Sequence, residues 1–122
     1  MKTKSAELEL FEKECCKWIA LLNLNDFYWV FEEEELDGAW AHYIIEYPSM
    51  LVTLTLTTDF SEATDVVRKI KESAFHEVVE AGIFGLLKAA AIDKDHSQDA
   101  VESLTHAGVF RLQNLLFPII ED

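Results

Sequence analysis

The amino-acid sequence predicts an α+β domain. It consists of an amino-terminal helix, a three-stranded antiparallel meander, a long central helix and a carboxy-terminal helix, with the helices packed on one sheet face. Three observations carry this. Apolar residues recur at three- and four-residue steps near both ends of the chain and alternate singly in the middle. The stretch Lys71 to Ala91, KESAFHEVVEAGIFGLLKAAA, reads as one helix whose second half is apolar around most of its girth. A helix of that kind is buried, so the sequence places it at the centre of the fold. Grouped strands flanked by helices are the pattern of α+β folds.

Residues 5–23 form the first predicted helix. Ser5 followed by Glu7 marks its start, and Leu8, Phe11, Cys15, Trp18, Ile19 and Leu22 make one apolar stripe. Asn23, Asn25 and Asp26 end it. Phe27 to Leu36 alternates, with Phe27, Trp29 and Phe31 on one face and Tyr28 and Val30 on the other. Glu32 to Glu35 with Asp37-Gly38 predict a hairpin turn, because Asp-Gly tolerates positive φ. Trp40 to Tyr47 is the return strand, broken by Pro48-Ser49. Leu51 to Thr58 is the third strand, with Val52, Leu54 and Leu56 inward and Thr53, Thr55 and Thr57 outward. Asp59 and Glu62 match a capping box, so the central helix is expected to run from there to about Ile92. After a polar loop, Asp93 to His96, Ser97 caps a last helix that stops at Leu116, before Pro118.

The 122 residues, half of them hydrophobic, suit a single domain over 1–122 with a sizeable core. No apolar run is long enough to span a bilayer and the charged amino terminus is not a signal peptide, so a cytoplasmic protein is expected. Cys15 and Cys16 are adjacent, which excludes a disulfide framework and lacks the C-x-x-C redox spacing. The formal net charge is −13, unevenly spread. Between Trp18 and Val67 there are ten acids and no Lys or Arg. Direct nucleic-acid binding is therefore disfavoured, while a basic protein partner is allowed. The same charge also serves solubility. No Ser/His/Asp order, phosphate-binding glycine loop or nucleotide motif is present, and His42 and His96 carry no signal.

The chemistry-bearing residues lie on the last two helices. His76 and Glu80 are four apart, hence on one face that Ile83 and Leu87 continue, while Glu77 points about a third of a turn away. Glu102 and His106 are again four apart, beside the apolar stripe of Val101, Leu104, Leu112 and Leu115. Antiparallel packing of these helices brings the pairs together. Two carboxylates and two imidazoles suit Zn²⁺ or another transition metal. The spacing equally fits a hydrogen-bonded cluster with no metal.

His76-Glu77-Val78-Val79-Glu80 resembles the H-E-x-x-H helix motif of zincin metallopeptidases, with glutamate in place of the second histidine. Three strands leading into that helix, followed by another helix, are similar to a minimal zincin core. More specifically, residues 27–117 resemble small zincin-like proteins encoded by tailed bacteriophages. Their final helix often carries a Glu-His pair followed by Arg-Leu, and the corresponding stretch here is Thr105 to Leu112. The resemblance implies His76 as first metal ligand, Glu80 in the place of the second, and Glu77 as general base. It puts Thr105 where a downstream ligand is expected, with Glu102 or His106 as substitutes. Two of three ligand positions are changed, which implies a degenerate site.

The expected function is a phage-encoded acidic binding protein on this degenerate scaffold. It would inhibit a host protein, or bind a host or phage protein with a basic surface, through Glu32, Glu33, Glu34, Glu35, Asp37 and Trp40. The alternative is a small zinc peptidase using His76, Glu80 and one of Glu102 or His106, with Glu77 as base and the outward threonines of the third strand lining the substrate. Expected cofactors are accordingly none or zinc, with no nucleic-acid or membrane partner.

Overall fold

The computed structural model describes residues 4–46, 49–93 and 97–121; of these, the side chains at 89, 92, 93 and 117–121 lie outside the description. The predicted break at Pro48 and the loop residues 94–96, His96 included, also lie outside the described residues. The elements are α1 (Ala6–Leu21), β1 (Tyr28–Glu34), β2 (Ala41–Glu46), β3 (Leu51–Thr57), α2 (Val66–Val79), a π turn (Glu80–Phe84), α3 (Gly85–Asp93) and α4 (Gln98–Glu121). The fold is α+β, as its sequence pattern predicts. No helix among the described residues is long and apolar enough to cross a membrane.

The sheet is mixed, not an antiparallel meander. Its order is β1-β3-β2, with β3 parallel to β1 and antiparallel to β2. Alternation tells which face a residue occupies but not which strand sits beside it. The link over residues 35–40 therefore does not close a hairpin; it passes over the carboxy-terminal end of β3. There it is tied on both sides, as Thr57 N–H donates to the Trp40 carbonyl and Thr58 N–H to the Glu34 carbonyl. Gly38, at φ +75°, supplies the sharp turn inside the link, as Asp37-Gly38 suggests.

One sheet face carries Trp29, Phe31, Val52, Leu54, Leu56, Tyr43 and Ile45 and packs on the helices. The core is completed by Leu8, Phe11, Cys15 and Trp18 of α1 and by Ile70, Ala74, Phe75, Val78 and Val79 of α2. Trp18 meets Phe75 edge-on at 4.6 Å between centroids, a favoured aromatic geometry. The threonines do face the other side, yet Thr55 is only 1% exposed because β3 is central and Glu32 and His42 flank it. A strand paired on both edges cannot accept a substrate strand, so the zincin-style role expected of Thr53, Thr55 and Thr57 has no edge to act from.

The amino-terminal cap is as read: Ser5 Oγ accepts from Leu8 N–H at 3.0 Å. The cap of α2 is not. It is Asp65, which accepts from Arg68 N–H. Asp59 instead makes a local turn with Ser61 N–H, while Phe60 stacks on Trp40 at 5.8 Å. Residues 59–64 precede the helix, with Phe60 on the Trp40 ring. The second half of the long helical stretch is not buried all round either: Ala81 and Gly85 are buried, but Ile83 is partly exposed. From Val66 to Asp93 it measures about 42 Å, against about 23 Å for a seven-residue strand. The helix outruns the sheet, leaving Leu86 and Leu87 exposed, the latter at 67%. α4 runs through position 118 to Glu121 rather than stopping before it. Its buried line is Thr105 and Val109, whereas Leu104 and Leu115 face solvent.

Candidate metal centre

α2 has one face committed to α1 and the sheet through Ile70, Ala74, Phe75, Val78 and Val79. Its remaining face carries Ser73, His76 and, at the first residue of the π turn, Glu80. α4 lies antiparallel across this face, since Lys88 meets Glu102, Glu80 meets His106 and His76 meets Phe110 in turn. Gly108 permits the close approach. A Cβ there would stand 2.7 Å from Cζ of Phe84. The two predicted pairs thus meet, as antiparallel packing requires.

Three side chains converge. A ligand atom from each of His76, Glu80 and His106 lies within 4.8 Å of the others, the one such arrangement of three among the described residues. His106 Nε2 is 2.9 Å from Glu80 Oε1, and the imidazole rings are 5.6 Å apart between centroids. Glu80 is 5% exposed, yet its Oε1 has no hydrogen bond of acceptable geometry, even to His106. The short approach is a close contact without the directionality of a hydrogen bond. A buried carboxylate oxygen left so is costly. Two donor atoms about 3 Å apart and not hydrogen-bonded fit neighbouring corners of one coordination sphere, with ligand bonds of about 2.0–2.2 Å. Burial lowers the His76 pKa below its usual value, with Glu80 opposing and His106 assisting. That keeps the ring neutral and able to ligate. The His106 side chain is 46% exposed, so the centre opens to solvent on the α4 side.

The other residues singled out in the sequence stand apart. Glu102 is held by Lys88 at 2.6 Å and its Oε2 is 4.0 Å from His106 Nε2, outside the group of three. Lys88 also donates to the Tyr43 hydroxyl, so this pair is anchored to β2. Thr105 is buried and its hydroxyl donates back to the Val101 carbonyl at 2.8 Å, a contact that occupies its proton within its own helix. Glu77 is buried one step round α2, facing Cys15 of α1, whose thiol pKa is itself pushed well up, first by burial. Burial and then repulsion from Glu80 push the Glu77 pKa up to about 8, with Lys88 opposing.

Among the acids of the sheet region, Glu33 faces inward and accepts from Ser5 Oγ at 2.6 Å, bracing the start of α1. Glu32 and Glu34 lie on the opposite face, and Glu35 and Asp37 are in the exposed link. Glu7, Glu33, Glu34 and Glu35 share a concavity of about 590 Å³ with Ser5 and Phe60. Trp40 points elsewhere. It stacks on Phe60 and lines a separate cavity of about 280 Å³ that ends on the His76 ring. Lys69, Glu72, Ser73, Phe110 and Gln113 complete that cavity. Sequence reasoning missed these residues, although Lys69 and Ser73 precede His76 at helical spacing and Phe110 follows His106 by four.

The chain matches no protein-family model, no curated protein and no solved structure.

Proposed function

We propose that the protein binds one divalent transition metal, with zinc as the best-suited ion, through His76, Glu80 and His106. The observation that supports this most is the buried Glu80 oxygen, which lies 2.9 Å from an imidazole nitrogen and lacks a hydrogen bond. Two imidazoles and one carboxylate are a known zinc donor set that leaves a fourth position free. A zinc ion held there would supply Lewis acidity at that open position. In this reading burial keeps His76 neutral, Glu80 supplies a carboxylate ligand, and α4 carries His106 to the other two. The Lys88–Glu102 pair braces α4 one turn away from His106. The test is metal content by mass spectrometry on protein purified without chelator and reloaded with zinc. About one equivalent is expected, and it should be lost in both His76→Ala and His106→Ala while Glu102→Gln retains it. Retention of zinc by the two histidine variants would reject the assignment.

A second reading follows from the acidic concavity. Glu7, Glu33, Glu34 and Glu35 line it, with no lysine or arginine among the described residues of its walls. It suits a basic segment of another protein; were the chain phage-encoded, as the sequence resemblance implies, that partner would be met in the cytoplasm of the infected bacterium. Reversing Glu34 and Glu35 to lysine should abolish capture of such a partner, and unchanged capture would rule this reading out.

A further inference from the structure

We infer that the cavity between β2, α2 and α4 is a binding site for an elongate monocarboxylate with a flat apolar body, oriented so that its far end meets the metal centre. The cavity has two chemically distinct ends. Lys69 stands at one, with its Nζ 5.5 Å from the Trp40 ring centroid. His76 stands at the other, seven residues on, which is about 10 Å along a helix. Ser73 and Gln113 offer polar groups between them, and Trp40 and Phe110 provide aromatic surface.

Lys69 is the informative residue: of the described lysines without an ion pair, Lys13, Lys69 and Lys71, it is the one that lines this cavity, whereas Lys4, Lys17 and Lys88 are each paired with a carboxylate. Lys69 has no carboxylate within ion-pair distance among the described residues. Glu72, in the same cavity, is engaged by Arg68 at 3.1 Å. A half-buried ammonium held only over an aromatic ring retains its capacity for a charge-assisted hydrogen bond. The sign of the ligand follows from that. Its charge number follows from the walls: Glu72 and the nearby Glu80 would repel a dianion such as a phosphate monoester more strongly than a carboxylate. A volume of about 280 Å³ limits the ligand to the size of a substituted aromatic acid.

The far end of the ligand rests on the metal reading; the Lys69 end stands without it. The experiment separates the two. The purified protein is titrated by calorimetry with 3-phenylpropionate and with its neutral amide, both metal-free and after loading with Co²⁺. The cobalt visible spectrum is recorded in parallel. The acid should bind more tightly than the amide, and Lys69→Met should weaken the acid by about tenfold while leaving the amide and the cobalt spectrum unchanged. In the loaded protein the acid should also perturb the cobalt bands. Equal affinity for acid and amide, or an unaltered acid affinity in Lys69→Met, overturns the carboxylate site even where cobalt binds. Acid binding that is Lys69-dependent but leaves the cobalt bands unmoved overturns the orientation toward the metal. Failure to take up cobalt rejects the metal reading and that orientation, and the metal-free titration then decides the carboxylate site.

Discussion

At the scale of single residues, Glu77 contributes to the pH response of the fold, in the opposite sense to His76 with its lowered pKa. Its carboxyl is 7% exposed, and burial with repulsion from Glu80 raises its pKa from the ordinary 4.5 to about 8. Between those values the folded chain holds a proton that the unfolded chain has released. Stability therefore falls as pH rises through that window. In metal-free protein, urea unfolding at pH 5 and pH 8 should differ by on the order of a few kcal/mol from this group alone. Glu77→Gln, which keeps the shape without the titration, should remove that difference; parallel pH profiles for the two proteins would refute it. The residue scale is also where the site was most legible. The His76–Glu80 pair follows from the helical period, a local property, and His106 from the same period on its own helix. Glu102 shares their spacing, four residues before His106, and so groups with them by sequence. Its engagement by Lys88 is a tertiary contact, and spacing within one helix carries no information about it.

At the scale of elements, the metal centre depends on how closely α4 approaches the π turn. Glu80 opens that turn, and an i→i+5 turn shifts the helical phase so that Glu80 stays with His76 while Gly85 abuts Ile45 of β2. Gly108 sits against Phe84, two residues from His106. Gly108→Ala should therefore lift α4 away and lower zinc affinity by about 10–100-fold, as loss of supporting contacts around a metal does, with helix content unchanged. Unchanged affinity would mean that the Phe84 ring yields instead. The elements themselves were readable wherever their cause was local: the Ser5 cap, the stripe of α1 and the alternation of β3. Two features were not. Asp59 and Asp65 are both capping residue types, and the cap falls on Asp65, while Phe60 beside Asp59 stacks on Trp40, a contact across the fold that local sequence does not encode. Leu86 and Leu87 belong to an apolar run that predicts burial, but burial needs a partner surface and the sheet ends too soon.

At the scale of the whole molecule, strand order has a kinetic consequence. β2 and β3 are neighbours in sequence and pair antiparallel, whereas β1 reaches β3 only across the whole intervening hairpin. Loop-closure entropy favours the short closure first, so the hairpin should form before β1 docks. During that interval one edge of Leu51–Thr57, LVTLTLT, is unpaired: a β-prone stretch with no charge and no proline, the composition of a self-associating segment. Glu32, Glu33 and Glu34 belong to the strand that eventually covers it, and with Glu35 they give the unfinished chain mutual repulsion. Refolding from urea at high protein concentration should consequently yield more aggregate at 1 M salt, where the screening length is about 3 Å, than at low salt. Equal yields at both would argue against it. The glutamate run would then protect the chain from its own copies before any native surface exists, a gatekeeping task completed once β1 is in place.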